Sequence, residues 1–313
     1  LEADGSTYKT TDFGHPLTTD DSWFRPVDIQ MGPDGSAYVA DMYEQRIDHS
    51  SHYQGRVHTT SGRIYRLHAG HQPIQLDLAA SSTAELVQVL SHPNKWHRQT
   101  ALRLLADRRD PEAIALLNDV LDESLGLTAL NACWGLHVVG GLTDGRSLQL
   151  LSHKDPQVRA WTVRLICDNH QATVYQVRSL VALATRESDL QVRSQLACSA
   201  RRLRPEAGVA IIRQLLQHSE DADDPHIPLL LWWAVEEHVE ARQAIVSLMK
   251  GPLWTQPLVQ QHIIERLMRR LALTGSQADL MAAAILLESA PDDASRGKLL
   301  SGFEQAYEGR SLV

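Results

Sequence analysis

Residues 23–67 read WFRPVDIQMGPDGSAYVADMYEQRIDHSSHYQGRVHTTSGRIYRL, and the fold turns on how this stretch is read. PVDIQM is a short run of mixed apolar and polar residues. GPDG follows at 32–35: Pro33 fixes φ, Asp34 can bond back to the backbone, and Gly35 accepts φ > 0. SAYVAD then alternates with the period of a strand, so two strands around a Gly-containing turn predict a β-hairpin. After a long polar loop over 42–61, GRIYRL predicts a third strand. Three short antiparallel strands with this turn suit one blade of a β-propeller. A lone small sheet is marginal in water and leaves its edges unpaired. The tail at 5–14, GSTYKTTDFG, is a candidate outer strand of the same blade or of a preceding one. The chain starts at Leu1 with no Met and no signal peptide, so it is expected to be a fragment whose earlier blades lie upstream.

Working outward, 68–81 reads as a linker containing Gly70 and Pro73, and helices begin near Ser82. Ser82 and Glu85 have capping-box spacing, and Leu86, Val89 and Leu90 follow on one face. A repeat then emerges. WHRQTALRLLAD at 96–107 aligns with QVRAWTVRLICD at 157–168, and QVRSQLACSARRL at 191–203 repeats the start. Arg98, Thr128, Arg159, Arg193 and Pro228 take equivalent places, in the spacing of helix-hairpin solenoid units slightly short for HEAT repeats. Asp-Pro pairs at 110, 155 and 224 predict capped helix starts. Further helices are predicted over 257–274, 277–289 and 294–307. The predicted class is mostly α: a solenoid of HEAT-like helix hairpins over 82–313, preceded by a small antiparallel sheet, the terminal blade, within 1–67. Solenoid units bury their apolar faces only against neighbours, and no polar cap is evident before Val313, so the array is also expected to be truncated there.

Composition narrows the function. With 43% hydrophobic and 22% charged residues the chain is globular, and a formal charge of −8 argues against a nucleic-acid surface. The longest apolar run, IPLLLWWAV, is too short to span a membrane. Three cysteines, Cys133, Cys167 and Cys198, provide no disulfide framework and read as small buried apolar groups.

The order WFRPVDI, GPDGSAYVAD, an Arg- and His-bearing loop, GRIYRL and then a helical array resembles the large secreted membrane-bound dehydrogenase-like proteins of planctomycetes and their relatives in the PVC group. NKWHRQTALRLLADRRD at 94–110 and DPHIPLLLWWAVEEH at 224–238 extend the likeness to about residue 290. The resemblance implies a propeller of the sorbosone and glucose dehydrogenase type followed by HEAT-like repeats and, in many members, a c-type haem domain carrying CxxCH. It implies an extracytoplasmic location, a quinone with calcium, and haem as cofactors of the full-length protein. It also implies upstream blades and a downstream cytochrome c domain as partners. CWGLH at 133–137 lacks the second thioether cysteine, so covalent haem belongs outside this stretch.

Two readings follow from different classes. One is the last blade and scaffold of a quinoprotein-like sugar or alcohol dehydrogenase, the isolated chain being inactive. The alternative is a non-enzymatic interaction scaffold with a protein partner on the solenoid. Arg25, Asp28 and Asp41 beside the strands are candidate cofactor-binding residues, because an arginine suits a quinone carboxylate; structural pairing of Arg25 with Asp28 is the plainer reading. His49, in the loop after the second strand, is the fourth candidate. His49 and His52 with Asp48 are metal-ligating types, but no regular spacing fixes them or His58 on one element, and no metal site is assigned. The recurring Arg98, Arg159 and Arg193 read as a structural ladder between repeats, and Trp161, Trp232 and Trp233 as core packing with a partner groove as the competing reading. No nucleophile motif, phosphate loop or zinc cluster is present in the sequence.

Overall fold

The computed structural model describes residues 1–15, 17–45, 48, 50, 53–54, 60–68, 70, 74–249 and 251–309. Among them 61% are helical, with 14 α-helices and shorter 3-10 and π-helical turns, and two small antiparallel sheets lie near the N-terminus. The chain separates into two compact units, residues 11–142 and residues 1–10 together with 143–313.

Among the described residues, strands β1 (Glu2–Asp4) and β2 (Thr7–Lys9) pair only with each other. The expected strand within 5–14 is therefore an arm of a separate hairpin and not an outer strand of the same blade-like sheet. Gly5, at φ +59, reverses the chain, and Asp224, in the same unit, anchors the turn. Its carboxylate accepts from the Ser6 N–H at 2.7 Å and the Ser6 hydroxyl at 2.6 Å.

In the unit of residues 11–142, strands β3 (Pro26–Met31), β4 (Ala37–Asp41) and β5 (Arg63–Leu67) form one antiparallel sheet with β4 in the middle. Turn and strands agree with the sequence reading: Gly35 N–H donates to Gly32 O at 3.1 Å, and Gly35 takes φ +79. Helices α1 (Thr83–Val89), α2 (Lys95–Arg108), α3 (Glu112–Glu123) and α4 (Gly126–Val138) follow, α1 packing on α3 and α2 on α4. The Ser82–Glu85 capping box opens α1 in both directions.

In the larger unit, one layer is built from α5 (Asp144–Leu150), α7 (Val174–Arg186), α9 (Pro205–Leu215), α11 (Arg242–Leu248) and α13 (Gln277–Ser289). The other is α6 (Pro156–Cys167), α8 (Leu190–Ala200), α10 (Ile227–Glu237), α12 (Ile264–Thr274) and α14 (Asp293–Tyr307). A π-helical turn at Val259–Ile263 leads into α12. Leu180, Leu196, Leu215 and Leu267 lie fully buried in this unit's core, each contributing about 1.5–3 kcal/mol by leaving water. Such a two-layer array of antiparallel helices is compatible with an α-solenoid. Cys133 and Cys167 are buried, and burial pushes the Cys167 thiol up to about 12; Cys198 is half-buried.

The repeated arginines share one local geometry. Asn94, Asp155 and Asp189 cap α2, α6 and α8, each accepting from the N–H two residues on. The arginine four residues after each cap curls back to a carbonyl six residues before itself: Arg98 to His92 O at 2.6 Å, Arg159 to His153 O at 2.9 Å, Arg193 to Glu187 O at 2.9 Å. At α14 Asp292 caps through the Ser295 N–H, three residues on, and Arg296 makes the same curl back, to Ala290 O at 3.2 Å. Inter-repeat ion pairing runs through Arg159 to Glu187 and Arg193 to Asp221, whereas Arg98 donates within its own turn, to the carbonyls of His92 and Pro93. The Asp-Pro starts differ in detail. Asp155 is a cap with Pro156 in the first turn, but α10 begins at Ile227, and Asp224 accepts from the N–H groups of His226 and Ile227 while also holding Ser6.

Candidate functional site

The three strands bring one set of polar and aromatic groups to the end of the sheet where β3 starts, β4 ends and β5 starts. Asp41 closes β4 and is buried; its Oδ1 accepts the N–H of Arg25 at 2.8 Å and of Tyr43 at 2.9 Å. Its Oδ2 is buried with no hydrogen-bond partner among the described residues. Arg25 is half-buried and donates from Nη1 to Phe24 O at 2.8 Å and from Nη2 to Gln45 O at 2.5 Å. Its terminal nitrogens thus tie the loop after β4 to the start of β3.

The sequence candidates separate accordingly. Arg25 and Asp41 meet through the backbone of Arg25. Asp28 lies opposite Ala40, one residue along β4 from Asp41, so the pleat sends the two carboxylates to opposite faces. Asp28 instead accepts from the Ile29 N–H and the Gln30 amide, and the expected Arg25–Asp28 pairing is not formed. The Arg25 guanidinium is taken up by the Phe24 and Gln45 carbonyls instead. His49, with His52 and His58, lies outside the described residues. Among the described residues no group of three metal-ligating side chains occurs.

Arg63, which sequence reasoning left unassigned, is the hub of the same corner. Its guanidinium sits 3.8 Å over the Tyr43 ring, donates to the Tyr65 hydroxyl at 3.2 Å and pairs with Asp21 at 3.5 Å. The hydrogen bonds to Tyr65 and Tyr43 raise its pKa further. Trp23 packs on Tyr43 and Phe24 on Tyr65, each with ring centroids 5.7 Å apart. An arginine opening a predicted strand between two tyrosines was the available signal.

At the opposite end, the GPDG turn is held twice. Asp34 accepts from the Ser36 N–H and hydroxyl and from Arg66 Nη2 at 2.5 Å. Asn94 Nδ2 donates to Gly32 O and His97 Nε2–H to Pro33 O, each at 2.8 Å, from the first turn of α2. Asn94 thus caps a helix with its oxygen and holds the turn with its nitrogen. Sheet and helices of this unit are joined by side chains as well as by residues 68–81.

The Ser36 backbone N–H, and after it the Ser36 hydroxyl and the Arg66 guanidinium, hold the Asp34 carboxyl down at about 2 against the opposing effect of burial. A depressed carboxylate contributes stability that is present above its unfolded value of about 3.9 and lost as pH falls through the folded value. The apparent melting temperature of the sheet-bearing unit should therefore fall steeply between about pH 4 and pH 2. Asp34→Asn should flatten that part of the profile, measured by near-ultraviolet circular dichroism; an unchanged slope would rule the turn out as a contributor.

Residues 1–71 match the model of a domain of unknown function, DUF7133. The match covers the β1–β2 hairpin and the three-stranded sheet. No curated protein sequence matches the chain.

Proposed function

We propose that β3–β5 form one blade of a larger propeller, in a secreted quinoprotein-like dehydrogenase acting on a sugar or alcohol, with the helical array as mount and docking surface for a partner or haem domain. The observation that carries this reading is strand β3. All six of its residues are exposed, its outer edge is unpaired among the described residues, and Val27, Ile29 and Met31 stand 58%, 65% and 47% in solvent. An apolar, uncovered edge strand is an aggregation hazard unless further strands pair with it. The resemblance of 23–67 to the dehydrogenase-like propellers supplies the identity of those strands.

This sheet alone does not fit the implied cofactors. The terminal nitrogens of Arg25 already donate to carbonyls, and among the described residues Asp41 Oδ2 is the one unpaired acceptor at this corner where calcium needs six to eight oxygens. In this reading the blade contributes a side chain or two to a site completed by neighbouring blades. Extracytoplasmic placement belongs to the same proposal; among the described residues no helix is long and apolar enough to cross a membrane. The committed geometry of Arg25 is also what favours the second reading, a non-enzymatic scaffold with the sheet edge and helices as binding surfaces.

The test is the whole gene product supplied with quinone and calcium and screened with sugars and polyols against an artificial electron acceptor. The expected result is bound quinone and dye reduction, with Asp41→Asn lowering quinone loading. A well-folded product that neither binds quinone nor reduces dye would favour the scaffold reading.

A further inference from the structure

The layer of α6, α8, α10 and α12 carries an uncovered tryptophan. Trp232 is 9% exposed, but its neighbour Trp233 is 42% exposed, and two adjoining clefts of about 660 and 700 Å³ meet at it. Both clefts are lined by Arg201, Trp233 and Glu237. The first continues over α8 to Arg202 and over α6 to Arg164; the second continues past Glu240 to Arg270 on α12. A channel crossing four neighbouring helices spans about 24–30 Å, which suits roughly eight or nine residues of extended chain.

Its two ends differ in charge. Arg201 pairs with Glu237 at 3.3 Å at the centre. Toward α6, Arg164 and Arg202 share one carboxylate, Asp168, at 3.9 and 2.5 Å, leaving an excess positive charge. Toward α12, Glu236 pairs with Arg270 at 3.7 Å and Glu240 adds an excess negative charge. These are exposed pairs, worth little individually and readily shared with a ligand. Leu230 beside Trp233 makes the middle apolar. An exposed tryptophan flanked by arginines is the composition of an interface hot spot.

We infer that this channel binds an extended peptide segment of a partner protein, with an acidic residue over Arg164 and Arg202, an apolar side chain on Trp233 and a basic residue toward Glu236 and Glu240. The charge polarity sets the direction of the bound chain, and the tryptophan supplies most of the affinity.

The test uses three fluorescein-labelled nonapeptides in a serine-glycine background with a central leucine: one with an aspartate near one end and a lysine near the other, one with two aspartates, one with two lysines. Fluorescence anisotropy should show the mixed peptide binding at least about tenfold tighter than either other, and Trp233→Ala weakening it by about tenfold or more with an unchanged circular dichroism spectrum. The double variant Glu236→Lys/Glu240→Lys should transfer preference to the doubly acidic peptide, a switch that a folding defect cannot mimic. Equal binding or no binding of the three peptides would overturn the inference. So would indifference to Trp233→Ala, or a Trp233-dependent self-association without peptide binding, which would assign the channel to a second copy of this chain.

Discussion

Arg193→Ala is expected to lower unfolding free energy by about 3–5 kcal/mol, the cost of stranding a buried charge. The Arg193 side chain is 3% exposed and that of Asp221, its partner at 2.5 Å, is 0%. The contact is a fork: Nε donates to Oδ2 at 2.8 Å and Nη2 to Oδ1, while Nη1 reaches Glu187 O. Alanine would leave a carboxylate in the core with its two donors gone. Arg159→Ala should cost less, about 1–3 kcal/mol, because the Arg159 side chain is 16% exposed and water can replace part of what is lost. Burial opposes ionisation of Glu187, yet Arg159 and the backbone N–H groups of Asp189 and Ser188 hold its carboxyl below the ordinary range. The double variant Arg193→Met/Asp221→Leu should recover most of the loss, since apolar residues of similar volume replace a buried pair at little cost. With two compact units present, a single global transition is not assured, so hydrogen exchange of α8 amides is the appropriate readout. Equal effects of Arg193→Ala and Arg159→Ala would refute the ranking by burial.

What was legible in the sequence was local. The GPDG hairpin, the Ser82–Glu85 box and the helix at 277–289 each rest on residues within a few positions, and each stands as read. The arginine ladder was legible only in part. A cap followed four residues later by arginine marks the curl back to the preceding carbonyl, and Asp292–Arg296 carried that mark unrecognised. The partner carboxylates, Glu187 and Asp221, lie 28 residues downstream of Arg159 and Arg193, with no motif of their own. The β1–β2 hairpin depends on Asp224, 218 residues away from Ser6, a distance no window spans. Trp232 and Trp233 show a further limit: adjacent helical residues point about 100° apart, so one packs inward while the other faces out. At the candidate site, both Asp28 and Asp41 lie in strands, but the register shift at β3, which no local pattern announces, puts Asp28 on the face away from Asp41.

Gly208→Ala carries the second large effect. A Cβ on Gly208 would lie 2.1 Å from His238 Nε2 and 2.6 Å from Ala200 O, far inside contact distance. Those two atoms are partners: the buried His238 donates its Nε2–H to Ala200 O at 3.0 Å, joining the end of α10 to the last turn of α8. The helical glycine on α9, in the facing layer, therefore leaves room for a hydrogen bond between two neighbouring helices of the other layer. One methyl group must push the imidazole aside, which strands a buried acceptor, and must also strain helix packing. Overpacking at about 1–3 kcal/mol and a lost buried bond at about 1–3 kcal/mol together predict a loss of about 2–4 kcal/mol, allowing for relaxation. Coupling separates this from a simple glycine-to-alanine helix effect, which in isolation would be favourable by about 1 kcal/mol. In a His238→Ala background the imidazole is absent and its bond already lost, so Gly208→Ala should cost at least about 1 kcal/mol less than in the parent. The four proteins would be compared by urea denaturation followed through α9 and α10 hydrogen exchange. Additive effects in that cycle would show that Gly208 is not there to make room for His238.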